Sequence, residues 1–273
     1  MNQNTSKLFV FVALECEAKA LINHFKLKKD NAKHPFSIYS NDNMTLTVTG
    51  VGKVAMAGGV AYVLAAYPEV KQPVLINVGI AGHKTSEIGS LFIASKVTDV
   101  ESGRVFYPQL IGAKGIASDE IKSTVLPNTD YSEGGLNDME ASAFYEIAVK
   151  FSSCELIHCL KVVSDNETSS IEGINAKNVV EWVDKQLGSC EKVFEHLLHL
   201  RDLIVPIELP EYIIIIDRWH FTVSGKVKLK ALLKRWRVLA SSNWLKNSTV
   251  EYVTGKDILR QLAVDVESLE VNL

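Results

Sequence analysis

Short apolar runs of strand length alternate with helix-period segments from the N-terminus to about residue 200, and this alternation limits the fold more than any other feature. Residues 8–13 (LFVFVA) read as a buried strand, with a helix after it over 15–25. Residues 36–40 and 44–49 read as a hairpin turned by Asn41-Asp42-Asn43. A helix rich in Ala and Gly follows over 53–67, where Pro68 stops it. Residues 74–78 (VLINV) are an apolar run of the kind buried on both faces of a parallel sheet, and 91–97 is a further strand. Residues 140–151 read as helix, 156–163 as strand, and 175–200 as a long amphipathic helix. In that last helix Val179, Trp182, Val183, Leu187, Val193, Phe194, Leu197 and Leu198 fall near one stripe. Strands alternating with helices predict a three-layer α/β/α fold around a central mixed sheet.

After residue 200 the pattern changes. Residues 206–210 read as a linker, 211–223 (EYIIIIDRWHFTV) as a strand, and Ser224 as the N-cap of a helix running to about Ala240. The expected organisation is a domain over 1–200 and an appended basic α+β element over 201–273. From Arg218 to Val250 there are eight Lys or Arg and no acidic residue. Lys226, Lys228, Lys230, Lys234, Arg235 and Arg237 alternate with Val227, Leu229, Leu232, Leu233, Trp236 and Leu239. This reads as a solvated basic face over a packed apolar one, and the basic face also suits an acidic partner.

Composition narrows the class without naming a function. The chain has 273 residues, 47% hydrophobic and 22% charged, with a formal net charge of −3, which gives no global pull toward nucleic acid or anionic membrane. The apolar run at 8–14 has no basic leader and is followed by Glu15 and Glu17, so it does not read as a secretory signal. No stretch approaches the ~18 apolar residues of a membrane span. Cys16, Cys154, Cys159 and Cys190 match no zinc spacing and are expected to be reduced thiols in a cytoplasmic protein.

Three carboxylates stand at strand or helix ends beside small residues. Glu17 follows the first strand, Glu140 opens a helix after Asn137-Asp138-Met139, and Asp165 ends the strand LIHCLKVVSD. In α/β sheets the crevice at the carboxyl ends of strands is the usual ligand site. Glycine-containing turns at 49–53 and 77–82 let backbone amides approach a ligand closely. Singly, each feature also reads as ordinary helix capping or strand-to-helix punctuation.

Their order resembles a known superfamily. ALECE at 13–17, TGVGKV at 49–54, INVGIAG at 76–82 followed by GSLFIASKVTD at 89–99, DMEASAF at 138–144 and VVSDN at 162–166 resemble the nucleoside phosphorylases and nucleosidases. The likeness is greatest to the 5′-methylthioadenosine/S-adenosylhomocysteine nucleosidases; it covers residue 8 to about 200 and leaves the C-terminal part unexplained. The resemblance implies that Glu17 activates the attacking water, that Met139 and Glu140 hold the ribose, and that Asp165 protonates the purine with Ser164 orienting it. Val51 and Gly79, Ala81 and Gly82 would line the base and 5′ regions. It implies no metal or organic cofactor, and a homodimer.

The chemistry wants the same groups. Breaking an N-glycosidic bond leaves an oxocarbenium-like sugar and a departing purine, so an acid at the base and a carboxylate that deprotonates water each lower the barrier. Residues 1–200 hold one arginine, Arg104, and a phosphorylase generally grips its phosphate with arginines. Hydrolysis is therefore the expected reaction, with phosphorolysis and a catalytically silent nucleoside-binding module as the alternatives. The sequence also departs from the family. Residues 100–137 are short and lack the segment that supplies the base-stacking aromatic, leaving Phe106, Tyr107, Pro108 or Tyr131 to fill that role. His83 stands where glycine is common, and reads either as an exposed loop imidazole or as a side chain reaching into the pocket.

Overall fold

The first strand, β1 (Leu8–Val12), is apolar on both sides because helices cover both faces of the sheet. The computed structural model describes residues 6–110, 112, 114–131, 134–204, 209–240, 242–247 and 252–270. These divide into two compact units, Met1–Val205 and Pro206–Leu273.

In the first unit β1 leads to α1 (Glu15–Phe25), β2 (Lys28–Lys29), the hairpin β3 (Ser37–Ser40) and β4 (Met44–Val48), and α2 (Lys53–Ala66). Next come β5 (Val74–His83), β6 (Leu91–Asp99), β7 (Val105–Phe106), β8 (Ala117–Ser123), β9 (Leu136–Asp138), α3 (Ala141–Ala148), β10 (Ile157–Asp165) and α4 (Ala176–Ile204). Leu8, Val10 and Val12 join a core with side chains of α1 and α4, whereas Phe9 and Phe11 join one with α2 and α3. The expected three layers follow directly from that alternation.

The sheet is mixed. β1 runs parallel to β4 and β5, β5 parallel to β10, and β10 antiparallel to β6. β6 pairs in parallel with β8, β8 with β9, and β9 returns antiparallel to the end of β5. Strands β5, β10, β6, β8 and β9 thus close a ring. β5 belongs to both parts: Val74–Asn77 pair with Leu8–Phe11, and beyond Asn77 the strand leaves β1 until Gly82 and His83 meet β9. A gap opens at the carboxyl end of β1, and the candidate site lies there.

The sequence reading missed β7, β8 and β9. β8 is ASDEIKS, with charges at Asp119, Glu120 and Lys122 and one fully buried apolar residue, Ile121. It holds through its pairing with β6 rather than through an apolar run of its own.

The second unit corrects a prediction. Residues 211–223 do not form a strand: Pro210–Arg218 are a helix, α5. α6 (Val223–Ala240), α7 (Trp244–Asn247) and α8 (Gly255–Glu270) follow, so the described residues of this unit are helical rather than α+β. Four consecutive isoleucines favour strand by propensity, but Pro210 supplies a preset first helical position and tertiary packing overrides the preference. Glu211 and Ile215, one turn apart, are fully buried, while Ile213 and Ile214 stay exposed. Arg237 turns inward to Glu211 with contacts of 3.1 and 2.9 Å, so it is not part of a free basic face. Thr222, not Ser224, caps α6, its Oγ1 accepting the Gly225 N–H at 3.1 Å. No described helix of the protein is long and apolar enough to cross a membrane, and its four cysteines are free thiols.

Candidate active site

Where β5 parts from β1, backbone N–H groups lose their strand partners. Glu17 fills that gap. It sits in the first turn of α1 and reaches back, its Oε2 accepting from Ala13 N at 2.9 Å and Leu14 N at 2.8 Å. This is the returning arm of a capping box. Its Oε1 accepts from Ile80 N on β5 at 2.9 Å, so one carboxylate joins the diverging strands. A Cβ on Gly79 would stand 2.9 Å from that oxygen and 3.2 Å from Lys161 Nζ, which is why glycine is needed there.

Glu140 is the N-cap of α3 and points back across to α2, where its Oε1 accepts Gly52 N at 2.7 Å. Gly52 has φ of 95°, a left-handed conformation that costs glycine little. Asp165 ends β10 beside Gly82. Its Oδ1 accepts the Ser164 hydroxyl at 2.5 Å and its Oδ2 accepts the Tyr131 hydroxyl.

Glu17, Glu140, Ser164 and Asp165 line one cavity of about 240 Å³ with Val51, Ile80, Ala81, Gly82, Asn137, Asp138 and Met139. Glu17, Glu140 and Asp165 are 2%, 7% and 3% exposed, so these are buried carboxylates rather than a solvated helix turn. Of the residues to which the resemblance gave a role, Gly79 alone does not line the cavity; it makes room behind Glu17.

Two residues that sequence reasoning passed over complete the charge balance. Lys161, 1% exposed in the middle of β10, places its ammonium 2.9 Å from Asp138 Oδ2. Asp138 also accepts Ser123 Oγ at 2.5 Å and Ala141 N at 2.8 Å. The available signal was a lysine inside an otherwise apolar strand, a place where charge survives only with a partner. Burial pushes the Glu17 carboxyl up, opposed by Lys161 and by the three backbone donors. Burial likewise raises Glu140 to about 7, against Lys161, with Asp138 and Glu17 adding to the rise. Lys161 itself is held above its usual range: burial lowers it, but Asp138 and Glu140 outweigh that.

Other expected residues lie elsewhere. His83 stacks on Phe92 with ring centroids 5.3 Å apart and directs Nε2 to Asp119 at 3.2 Å. Its Nδ1 accepts the N–H groups of Thr85 and Ser86, so the ring is tied into its own turn rather than into the cavity. Phe106 packs on Tyr145 at 5.2 Å, Tyr107 is exposed and Pro108 is buried outside the lining. Of the aromatic candidates only Tyr131 reaches the site. Lys53, at the start of α2, pairs with Asp99 at 2.6 Å and with Glu101.

No family model and no curated protein matches the chain. Solved structures do share its fold. A 5′-methylthioadenosine/S-adenosyl homocysteine nucleosidase from Campylobacter jejuni aligns with TM-score 0.55 and 17% identity over 70% of this chain and 98% of its own. The 5′-methylthioadenosine nucleosidase of Arabidopsis thaliana aligns with TM-score 0.55 and 19% identity over 71% and 96%. A futalosine hydrolase mutant of Helicobacter pylori strain 26695 gives TM-score 0.54 and 11% identity over 70% and 99%. The first unit thus shares its fold with these solved nucleosidases and with the futalosine hydrolase.

Proposed function

We propose that this chain hydrolyses the N-glycosidic bond of a purine nucleoside or a 5′-modified purine nucleoside. One observation carries the reading: Glu17, Glu140 and Asp165, remote in sequence, converge with Ser164 on a single buried cavity. Asp165 protonates the departing purine, with Ser164 fixing one of its oxygens. Glu17 takes a proton from the water that attacks the sugar and offsets the positive charge developing there. Glu140 accepts from the ribose hydroxyls beside Met139, while Val51 and the Ile80-Ala81-Gly82 backbone border the base and 5′ regions. The nucleosidases that share the fold add support by analogy of fold.

Water is favoured over phosphate by what lines the cavity. Four acidic side chains line it, Glu17, Asp138, Glu140 and Asp165, and the nearby Lys161 ammonium is engaged by Asp138. A phosphate dianion would find no Lys or Arg among the residues lining the cavity to grip it. A homodimer is part of the proposal. The Lys53–Glu101 ion pair and the Val125 N–H bonded to Glu101 at 2.8 Å bring the start of α2 beside residues 125–126. Around that junction Val51, Val54, Val125 and Leu126 are 52%, 88%, 58% and 73% exposed, an apolar rim suited to a second copy.

The test is purine release from adenosine, inosine, 5′-methylthioadenosine and S-adenosylhomocysteine, each with and without phosphate. Release without phosphate is the expected result. Strict phosphate dependence would replace hydrolysis by phosphorolysis, and tight binding without turnover would make the chain a nucleoside-binding module.

A further inference from the structure

Both oxygens of Asp165 are already engaged within the protein. Ser164, its neighbour on β10, holds Oδ1; Tyr131, from the segment between β8 and β9, holds Oδ2. Pro127 and Asn128 of that segment line the candidate cavity. Thr129, Asp130 and Tyr131 line a second hollow of about 610 Å³ with Asn166 and Glu167, and Ile171 borders both spaces. The Tyr131–Asp165 hydrogen bond therefore stands in the partition between them. Beside it, a Cβ on Gly82 would lie 2.5 Å from Asp165 Oδ2 and 3.3 Å from Tyr131 Cε1, so ring and carboxylate fill the space against the strand. Burial and the Asp165 charge push the Tyr131 phenol well above its usual range, which keeps the hydroxyl a donor.

We infer that Tyr131 is a displaceable cap on Asp165: its hydroxyl occupies the carboxylate oxygen that a bound purine engages, and the base binds by replacing it. The inference rests on the proposed assignment of Asp165 to the base. An acid that hands a proton to a purine must turn one oxygen toward the ring. Oδ1 is held by a strand neighbour that moves with it, whereas the donor to Oδ2 arrives on a connecting segment. Oδ2 is thus the oxygen that changes partner. Tyr131 acts through Asp165, as a positioning residue that sets the affinity for the base.

The experiment is adenine-binding calorimetry on the full chain, on Tyr131→Phe, on Asp165→Asn and on the double variant. Tyr131→Phe keeps the ring and loses only the competing donor, so adenine is expected to bind about tenfold tighter, the scale of a charge-assisted hydrogen bond. In the Asp165→Asn background the gain shrinks, because a neutral amide holds the hydroxyl about half as strongly. Unchanged or weaker adenine binding by Tyr131→Phe overturns the cap, as does an equal gain in both backgrounds. If adenine binds neither the native chain nor Tyr131→Phe, the purine reading falls and the cap falls with it. Adenine bound equally well by both removes the cap and leaves that reading standing.

Discussion

At the scale of single residues, the two acid–base carboxylates differ in how an amide would be received. Asp165 faces two hydroxyls, which accept as readily as they donate, so Asp165→Asn is expected to keep its contacts. Its purine release should fall by ~10²–10⁴ while thermal melting barely moves. Glu17 faces backbone N–H groups on both oxygens, and Glu17→Gln sets an NH₂ against at least one of them. That variant should lose turnover and also about 2 kcal/mol of stability, read by urea titration. Equal melting of the two variants would contradict this account of the site. Glu140 governs the pH dependence. Its folded value of about 7 lies above the ordinary 4.5, so the stability it contributes is full below about 4.5 and is lost as pH rises through 7. Sugar binding runs the other way, because the ionised carboxylate is the better acceptor. KM for a turned-over nucleoside should fall as pH rises through about 7, and Glu140→Gln should flatten that slope. The positions of Glu17, Glu140 and Asp165 were legible in the sequence as strand-end and helix-start carboxylates. Lys161 and Asp138 were not, because a charge in a buried strand becomes intelligible only once its partner is seen across the sheet.

At the scale of elements, apolar periodicity located β1, α1, the β3–β4 hairpin, α2, β6, β10 and α4, since each buries a continuous face of its own. It failed where stability comes from a neighbour. β8 is charged at three of its seven positions and owes its form to β6; α5 is rich in β-branched residues and owes its form to packing within its unit. The helical form of α5 makes neighbouring isoleucines unequal. Ile215→Ala removes a fully buried side chain and should cost about 2–5 kcal/mol. Ile213→Ala, at a position 62% exposed, should change stability by less than about 0.5 kcal/mol. A strand would alternate its faces, burying 213 together with 215 and making the two substitutions alike.

At the scale of the whole molecule, every residue lining the candidate cavity lies between Ala13 and Ile174, inside the first unit. A chain ended after Val205 is expected to release purine with unchanged kcat/KM; a large loss in steady-state assays would show that the second unit takes part in catalysis. The sequence by itself determined the layer order, because alternating strand and helix periods bury their apolar faces in one economical way. It also determined which carboxylates stand at element ends. Only the tertiary structure decided that they converge. β5 parts from β1 after Asn77 to close a ring with β9, and that divergence frees the backbone donors that hold Glu17. Such a split depends on pairings among strands distant along the chain, and local periodicity carries no information about them.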